Sequence, residues 1–239
     1  MSDIRDTFYD AKWQEWNDMI YFSPAPRLRR KKILSWLKEI PVRTALDVGC
    51  GNGEFLECVR RVRPDIRLAG GDISTTVIEK NRSRMPSVDF HVLDLNTEML
   101  PLQFEAVICM EVIEHCVDYR AAIGKLARMT EKWLFITVPC GPLFEIDRRV
   151  GHTKHFTAAE IASALSASAM KVIKLQCWGF PFFNLYKHAI NLFPDRMCDA
   201  FLSDRRYGAR EKFVAWLTYA AFRTSLPFWG YQMFIMARH

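Results

Sequence analysis

Glu111, Glu114 and His115, from the run Glu-Val-Ile-Glu-His, are the residues of this chain whose types and spacing most directly suit chemistry. If Glu111 opens a helical turn, the i, i+3, i+4 spacing puts all three side chains on one face. Two carboxylates and an imidazole converging there could hold a hard or borderline divalent cation such as magnesium, manganese or zinc. His152, from the downstream loop 151–156, would be the fourth ligand, with His155 close enough to exchange roles with it. Two other assignments use the same residues. His115, with Glu114 beside it, is a candidate catalytic general base without any metal, since its intrinsic pKa lies near neutrality. Alternatively, Glu111 binds a cofactor or water, and Glu114 and His115 are a helix-start pair.

A second stretch, 45–55, has the form of a strand handing a ligand to a helix. Thr44–Val48 alternates short and branched apolar residues with one acid, Asp47, and then Gly49, Gly51 and Gly53 alternate with Cys50 and Asn52. Glycine is needed where backbone takes positive φ or comes within contact of a ligand. The helical pattern 54–63 follows, so a ligand would lie at the carboxyl end of a strand, against a helix N-terminus. A dinucleotide fingerprint would put a third glycine at position 54, which is Glu54. A carboxylate there opposes a pyrophosphate, so a ligand with a cationic or zwitterionic end suits the loop better. A glycine-rich turn with no ligand is the plainer alternative.

The elements that must position these groups alternate. Strands are expected at Thr44–Val48, Arg67–Asp72, 88–93, Phe104–Met110, 133–138, Lys171–Trp178 and 231–237. Helical patterns fall between them at 54–63, after the Ser74 cap to about Arg84, at 119–129, and after the capping-box run Thr157-Ala158-Ala159-Glu160. Asp72 ends the second strand 25 residues beyond Asp47, where an acid can accept both ribose hydroxyls of a nucleoside. Asp94 follows the third strand, and a strand-end turn acid is the alternative for it. Before the first strand, Ser23-Pro24-Ala25-Pro26 reads as a turn; Ile33, Trp36, Leu37 and Ile40 then mark an amphipathic helix. The expected fold is α/β: a Rossmann-like, mostly parallel seven-stranded sheet with a C-terminal antiparallel strand and an inserted helical lid. In domain terms, 1–43 is an aromatic and basic cap, 44–178 with 229–239 is the ligand-binding domain, and 179–228 is the lid.

The totals bound the rest. A chain of 239 residues suits one large domain with an appended segment. Much of the local excess behind the net charge of +6 comes from 27–32, which reads as the solvated face of the first helix in preference to a phosphate-binding surface. Seven cysteines, never spaced C-x-x-C, read as reduced thiols, and Asp3, Arg5 and Asp6 stand where a secretory signal would be apolar; both point to a cytoplasmic protein. The segment 213–236 is apolar, but Arg223, Pro227 and Gly230 interrupt it. It suits peripheral membrane contact or a homodimer face better than a span. Phe8, Tyr9, Trp13, Trp16, Tyr21 and Phe22 could cover a core edge or cap a ligand pocket.

With its acid, apolar residue and G-x-G-x-G, the loop resembles motif I of the class I S-adenosylmethionine-dependent methyltransferases, over about 30–178 plus the last strand. The resemblance implies S-adenosyl-L-methionine as cofactor, bound by Asp47, Gly49, Cys50, Gly51, Gly53, Asp72, Ile73, Asp94, Leu95, Met110 and Glu111. It implies that Ile73 lies on the adenine face and that Asp94 bonds the adenine amino group. The segment around Arg27 is similar to that before the first helix of quinone-biosynthesis O-methyltransferases, where an Arg can meet the methionine carboxylate. The E-x-x-E-H run is shared with those enzymes and with small-RNA 3′-end 2′-O-methyltransferases, in which it resembles a metal site orienting adjacent hydroxyls. Lys154-His155-Phe156 departs from the RNA family's acidic-aromatic run. The resemblance therefore implies methyl transfer to a small-molecule or lipid-like acceptor, at oxygen. An RNA 2′-O-methyltransferase and a nucleoside-binding protein without turnover are the alternatives.

Overall fold

The protein is described by a computed structural model over residues 21–195, 197 and 207–239; the expected aromatic cap at Phe8, Tyr9, Trp13 and Trp16 lies outside the described residues. Helix α1 is Pro24–Leu37, followed by β1 (Thr44–Val48), α2 (Glu54–Val62), β2 (Arg67–Asp72), α3 (Thr75–Arg84) and β3 (Asp89–Val92). Next come β4 (Phe104–Met110), a 3-10 turn at Ile113–His115, α4 (Tyr119–Arg128), β5 (Thr130–Pro139) and α5 (Glu145–Arg149). The chain continues through α6 (Ala158–Ala167), β6 (Lys171–Trp178), α7 (Phe182–Ile190), α8 (Ala209–Arg223) and β7 (Gln232–Arg238).

The proline run expected to be a turn instead opens α1, with proline in the first helical turn, where its missing N–H is no loss. Strand β5 extends three residues before and one beyond the expected 133–138, because Thr130 pairs with Phe104 and Pro139 with Gln232. The short helix α5 was not foreseen, since five residues carry too little periodicity to read.

One sheet runs in the order β3-β2-β1-β4-β5-β7-β6. Strands β1 to β5 pair in parallel, while β7 runs antiparallel to both β5 and β6. Successive residues enter opposite core layers, as a pleat requires. Leu134 and Ile136 pack with Ile123 and Leu126 of α4 and with Ile161 and Leu165 of α6. Phe135 between them packs with Trp36 of α1 and with Phe55 and Leu56 of α2. The strand order reverses between β1 and β4, which opens a crevice at their carboxyl ends. The segment between β6 and β7 supplies α7 and α8; α8 packs on α1, and its Phe222 sits among Trp178, Phe183 and Tyr186. Among the described residues no helix is long and apolar enough to cross a membrane.

Candidate active site

A cavity of about 700 Å³ lies at the carboxyl ends of the parallel strands. Its wall includes Asp47, Gly49, Cys50, Asp72, Ile73, Asp94, Leu95, Met110 and Glu111. Gly51 and Gly53 stand behind that wall. Gly53 has φ 72°, and a Cβ on it would come within 2.4 Å of Met85 Cε, so its role is close packing at the start of α2. Gly49 has φ 74°, and a Cβ there would meet Val112 Cγ2 at 2.2 Å. The Gly49 and Cys50 amides donate to the Gly71 carbonyl at 2.7 and 3.0 Å, which ties the loop to the end of β2.

Asp72 is buried, and its carboxylate accepts from the Gly51 amide at 2.8 Å and the Ser74 amide at 3.1 Å. One acid therefore fixes the glycine loop and the entry to α3. Asp47 is also buried, and its Oδ1 has no hydrogen-bond partner among the described residues. Burial, and then the charge of Asp72, push its carboxyl up to about 8. Asp94 accepts from the backbone and side-chain amides of Asn96, both at 2.9 Å, so it closes a turn as well as facing the cavity. Arg27 is not part of the cavity wall: its guanidinium lies 4.2 Å from the Tyr219 ring centre, and Arg29 and Arg30 reach the cavity instead.

The expected helical face bearing Glu111, Glu114 and His115 does not form. Glu111 has φ 58°, and the helical turn starts only at Ile113. Its Oε1 accepts from Thr137 Oγ1 and Gln232 Nε2, both at 2.8 Å, and its Oε2 lies 3.3 Å from Arg29 Nη1. The group that does converge is Glu114, His115 and His152, whose ligand atoms lie within 4.8 Å of one another. His115 Nδ1 donates to the Gly151 carbonyl at 3.1 Å, so in the neutral ring Nε2 carries the lone pair. The His115 and His152 rings meet edge to face at 4.9 Å, and His152 Nδ1 is 3.2 Å from His155 Nε2.

Glu114 is fully buried, and neither carboxylate oxygen has a hydrogen-bond partner among the described residues. Burial, reinforced by the charge of Glu111, holds its carboxyl well above the usual range. Burial lowers His115 and His155 below the ordinary histidine value. Burial, then His115 and His155, depress His152 to about 2. The cluster is thus a buried acid facing neutral imidazoles, a donor set that fits a divalent cation.

Residues that the sequence did not single out complete the site. Asp147 of α5 ion-pairs with Lys187 of α7, lies 3.5 Å from His155 Nε2, and accepts from the Phe144 amide at 3.1 Å. With His152 and His155 it forms a second convergent group. Arg29 and Gln232 secure Glu111. Their one sequence signal is position: Arg29 lies in the basic run, and Gln232 starts the last strand.

The model of a family described as a methyltransferase domain matches residues 21–194. A tRNA (carboxymethyluridine(34)-5-O)-methyltransferase of Saccharomyces cerevisiae (strain ATCC 204508 / S288c) is 34% identical over 112 residues, covering 44% of this chain and 39% of its own. A ubiquinone biosynthesis O-methyltransferase of Thiobacillus denitrificans (strain ATCC 25259 / T1) is 28% identical over 103 residues, covering 40% and 44%. The chain spans 38% to 48% of the length of the curated relatives it matches. In fold, it is similar to the N-methyltransferase NodS from Bradyrhizobium japonicum WM9 in complex with S-adenosyl-L-homocysteine, with a TM-score of 0.61, 17% identity and 98% of each chain covered.

Proposed function

The chain belongs to the methyltransferase-domain family, and from that premise we propose that it transfers a methyl group from S-adenosylmethionine to an oxygen of a small or lipid-like acceptor. The observation that carries this reading is the continuity of one cavity. It runs from Asp47, Gly49 and Asp72 past Glu111 to His115 and His152, and Phe183, Tyr186 and Phe222 of the insertion close its other side.

The cofactor, when bound, supplies a methyl group already made electrophilic by the sulfonium. The chain's part is to bind, orient and move one proton. Asp72 is held in place by two backbone amides and would accept the ribose hydroxyls. Asp47, with an orphaned oxygen in the wall, would meet the ligand's cationic end. Ile73 and Leu95 offer apolar surface to the base. At the other end, His115 Nε2 would take the proton of the acceptor hydroxyl as its oxygen forms the new bond to carbon and the sulfur–carbon bond breaks. Glu114, His115 and His152 would hold a divalent cation, whose chemistry there is to orient hydroxyls and lower their pKa. In that case His115 Nε2 would be a ligand and not the base: the cation would lower the hydroxyl's pKa, and the proton would pass to water. Helices α7 and α8 act as a lid, and α1 packs beside α8. We place the enzyme in the cytoplasm, where its thiols stay reduced; all six described cysteines are free.

The test is titration calorimetry with S-adenosylmethionine and S-adenosylhomocysteine. It is followed by turnover of methyl-labelled cofactor with a cell extract fractionated into lipid, small-molecule, protein and RNA pools. We expect binding of both nucleosides and label in the lipid or small-molecule pool. A wild-type chain that ignores both nucleosides removes the reading at its base. An RNA acceptor is the second reading, favoured by the similarity to the yeast tRNA methyltransferase, and label in the RNA pool would establish it.

A further inference from the structure

Among the described residues, nineteen large apolar side chains are exposed, and twelve of them fall between Phe180 and Trp229, about a fifth of the chain. Seven of these twelve form an outward face on α8 and the rim loop 226–229 that follows it. Helix α8 turns Ala215 and Phe222 inward and leaves Phe213, Val214, Trp216 and Leu217 outward, so its solvent side is the apolar one. Phe213 stacks on Trp216, and in the rim loop Trp229 packs edge-on against both Phe180 and Phe228. Trp216 is 56% exposed and Trp229 is 76% exposed. An ordinary surface helix has the reverse pattern, and a patch of this kind marks a contact surface.

The charges around the patch indicate what covers it. Arg210 and Lys212 near one end of α8 and Arg223 at the other are exposed, while the helix's one acid, Glu211, lies on its half-buried side. Outward aromatics flanked by cations, with no outward acid, match the boundary of an anionic bilayer, where tryptophan rings lie at headgroup level. Phe222, on the inward side of α8, lines the cavity together with Phe183 and Tyr186 of α7. We propose that the outer face of α8 and the rim loop 226–229 dock on an anionic membrane surface, so that the lid receives its acceptor from the bilayer. The proposal deepens the lipid-like acceptor reading and rests on it for the acceptor alone.

The experiment uses the full chain with vesicles of phosphatidylcholine, with and without phosphatidylglycerol. Co-sedimentation and quenching of tryptophan fluorescence by brominated lipid are the readouts. The variant is Trp216→Ser with Trp229→Asn; neither ring lines the cavity, and asparagine tolerates the φ of 58° at position 229. We expect the wild type to bind the anionic vesicles and its tryptophans to be quenched. The double variant should lose about tenfold or more in partitioning, with S-adenosylhomocysteine affinity unchanged by calorimetry. Arg210→Gln with Arg223→Gln should abolish the preference for anionic lipid. Absence of wild-type partitioning, or equal partitioning by the double variant, overturns the proposal. So does a vesicle-free dimer, seen by light scattering, that the double variant converts to monomer, since the face would then belong to a second copy. Loss of nucleoside binding with vesicle binding intact would count against the methyltransferase reading alone.

Discussion

Glu111 points its carboxylate at Arg29, 3.3 Å away, and not at the Glu114 carboxyl three residues along. The positive φ of Glu111 is held by that ion pair together with the bonds from Thr137 and Gln232. Glu111→Ala should therefore destabilise the fold by roughly 2 to 3 kcal/mol in urea titrations. Its manganese affinity, measured by calorimetry, should stay within about threefold of wild type. A Glu111→Ala protein as stable as wild type but unable to bind the cation would restore the arrangement expected from the E-x-x-E-H spacing.

Glu114 makes the opposite prediction. Its buried oxygens lack protein partners, and burial keeps the carboxyl protonated to unusually high pH. Glu114→Gln should leave the EDTA-treated protein equally stable or slightly more so. In the wild type, a cation at about a hundredfold excess over Kd should add about 2.7 kcal/mol. That gain should disappear in Glu114→Gln and in His152→Ala. If activity survives exhaustive chelation yet is lost in His115→Ala, the base assignment stands without the metal.

Asp47 sets a pH dependence. Its folded carboxyl titrates near about 8, whereas an unfolded aspartate titrates near about 4. Between those values the unfolded chain has released a proton that the folded chain still holds. Stability therefore falls as pH rises through the window and levels off above it. From about pH 5.5 to about pH 7.5, the wild type should lose roughly 2 to 2.5 kcal/mol more than Asp47→Asn does, read from urea midpoints. Parallel curves for the two proteins would show that Asp47 ionises normally.

Asp72 joins the glycine loop to the start of α3 and faces the cavity. Asp72→Ala removes the acceptor for the Gly51 and Ser74 amides as well as the proposed ribose partner, so S-adenosylhomocysteine affinity should fall by roughly 3 kcal/mol, more than a hundredfold. Gly51 has φ 49°, and a valine there is strained before it meets any ligand. Gly51→Val should lose both affinity and thermal stability. An Asp72→Ala protein that binds within about fivefold of wild type would remove this residue from the site.

The Lys187–Asp147 pair ties α7 to α5, and both side chains are largely buried. Lys187→Met strands the Asp147 charge and should cost on the order of 3 kcal/mol. Hydrogen exchange should accelerate most in α7 and in the loop carrying His152, and Lys187→Arg should restore much of the protection. Uniform acceleration across the sheet would mean that the pair supports the whole fold and not the contact between α5 and α7.

The strands and the glycine loop were legible because their determinants are local. Thr44–Val48, Arg67–Asp72 and Phe104–Met110 are short apolar runs bounded by turn residues, and the G-x-G-x-G spacing specifies a backbone path with little help from distant residues. The Ser74 cap and the Thr157 capping box are also local, and both formed as expected. The pairings within the chemical cluster were not legible. Spacing put Glu111 with Glu114 and His115, but Arg29, Thr137 and Gln232, all far away in sequence, hold Glu111 in a non-helical conformation. Likewise, Asp147 and Lys187 carry no motif and matter only because α5 and α7 bring them together. By itself the sequence determined the order of the elements, the ligand-binding end of the sheet and the residue types at the site. Which carboxylate faces the histidines, which arginine reaches the cavity and which side of α8 meets solvent were decided by tertiary packing, since buried charge settles where distant partners can neutralise it.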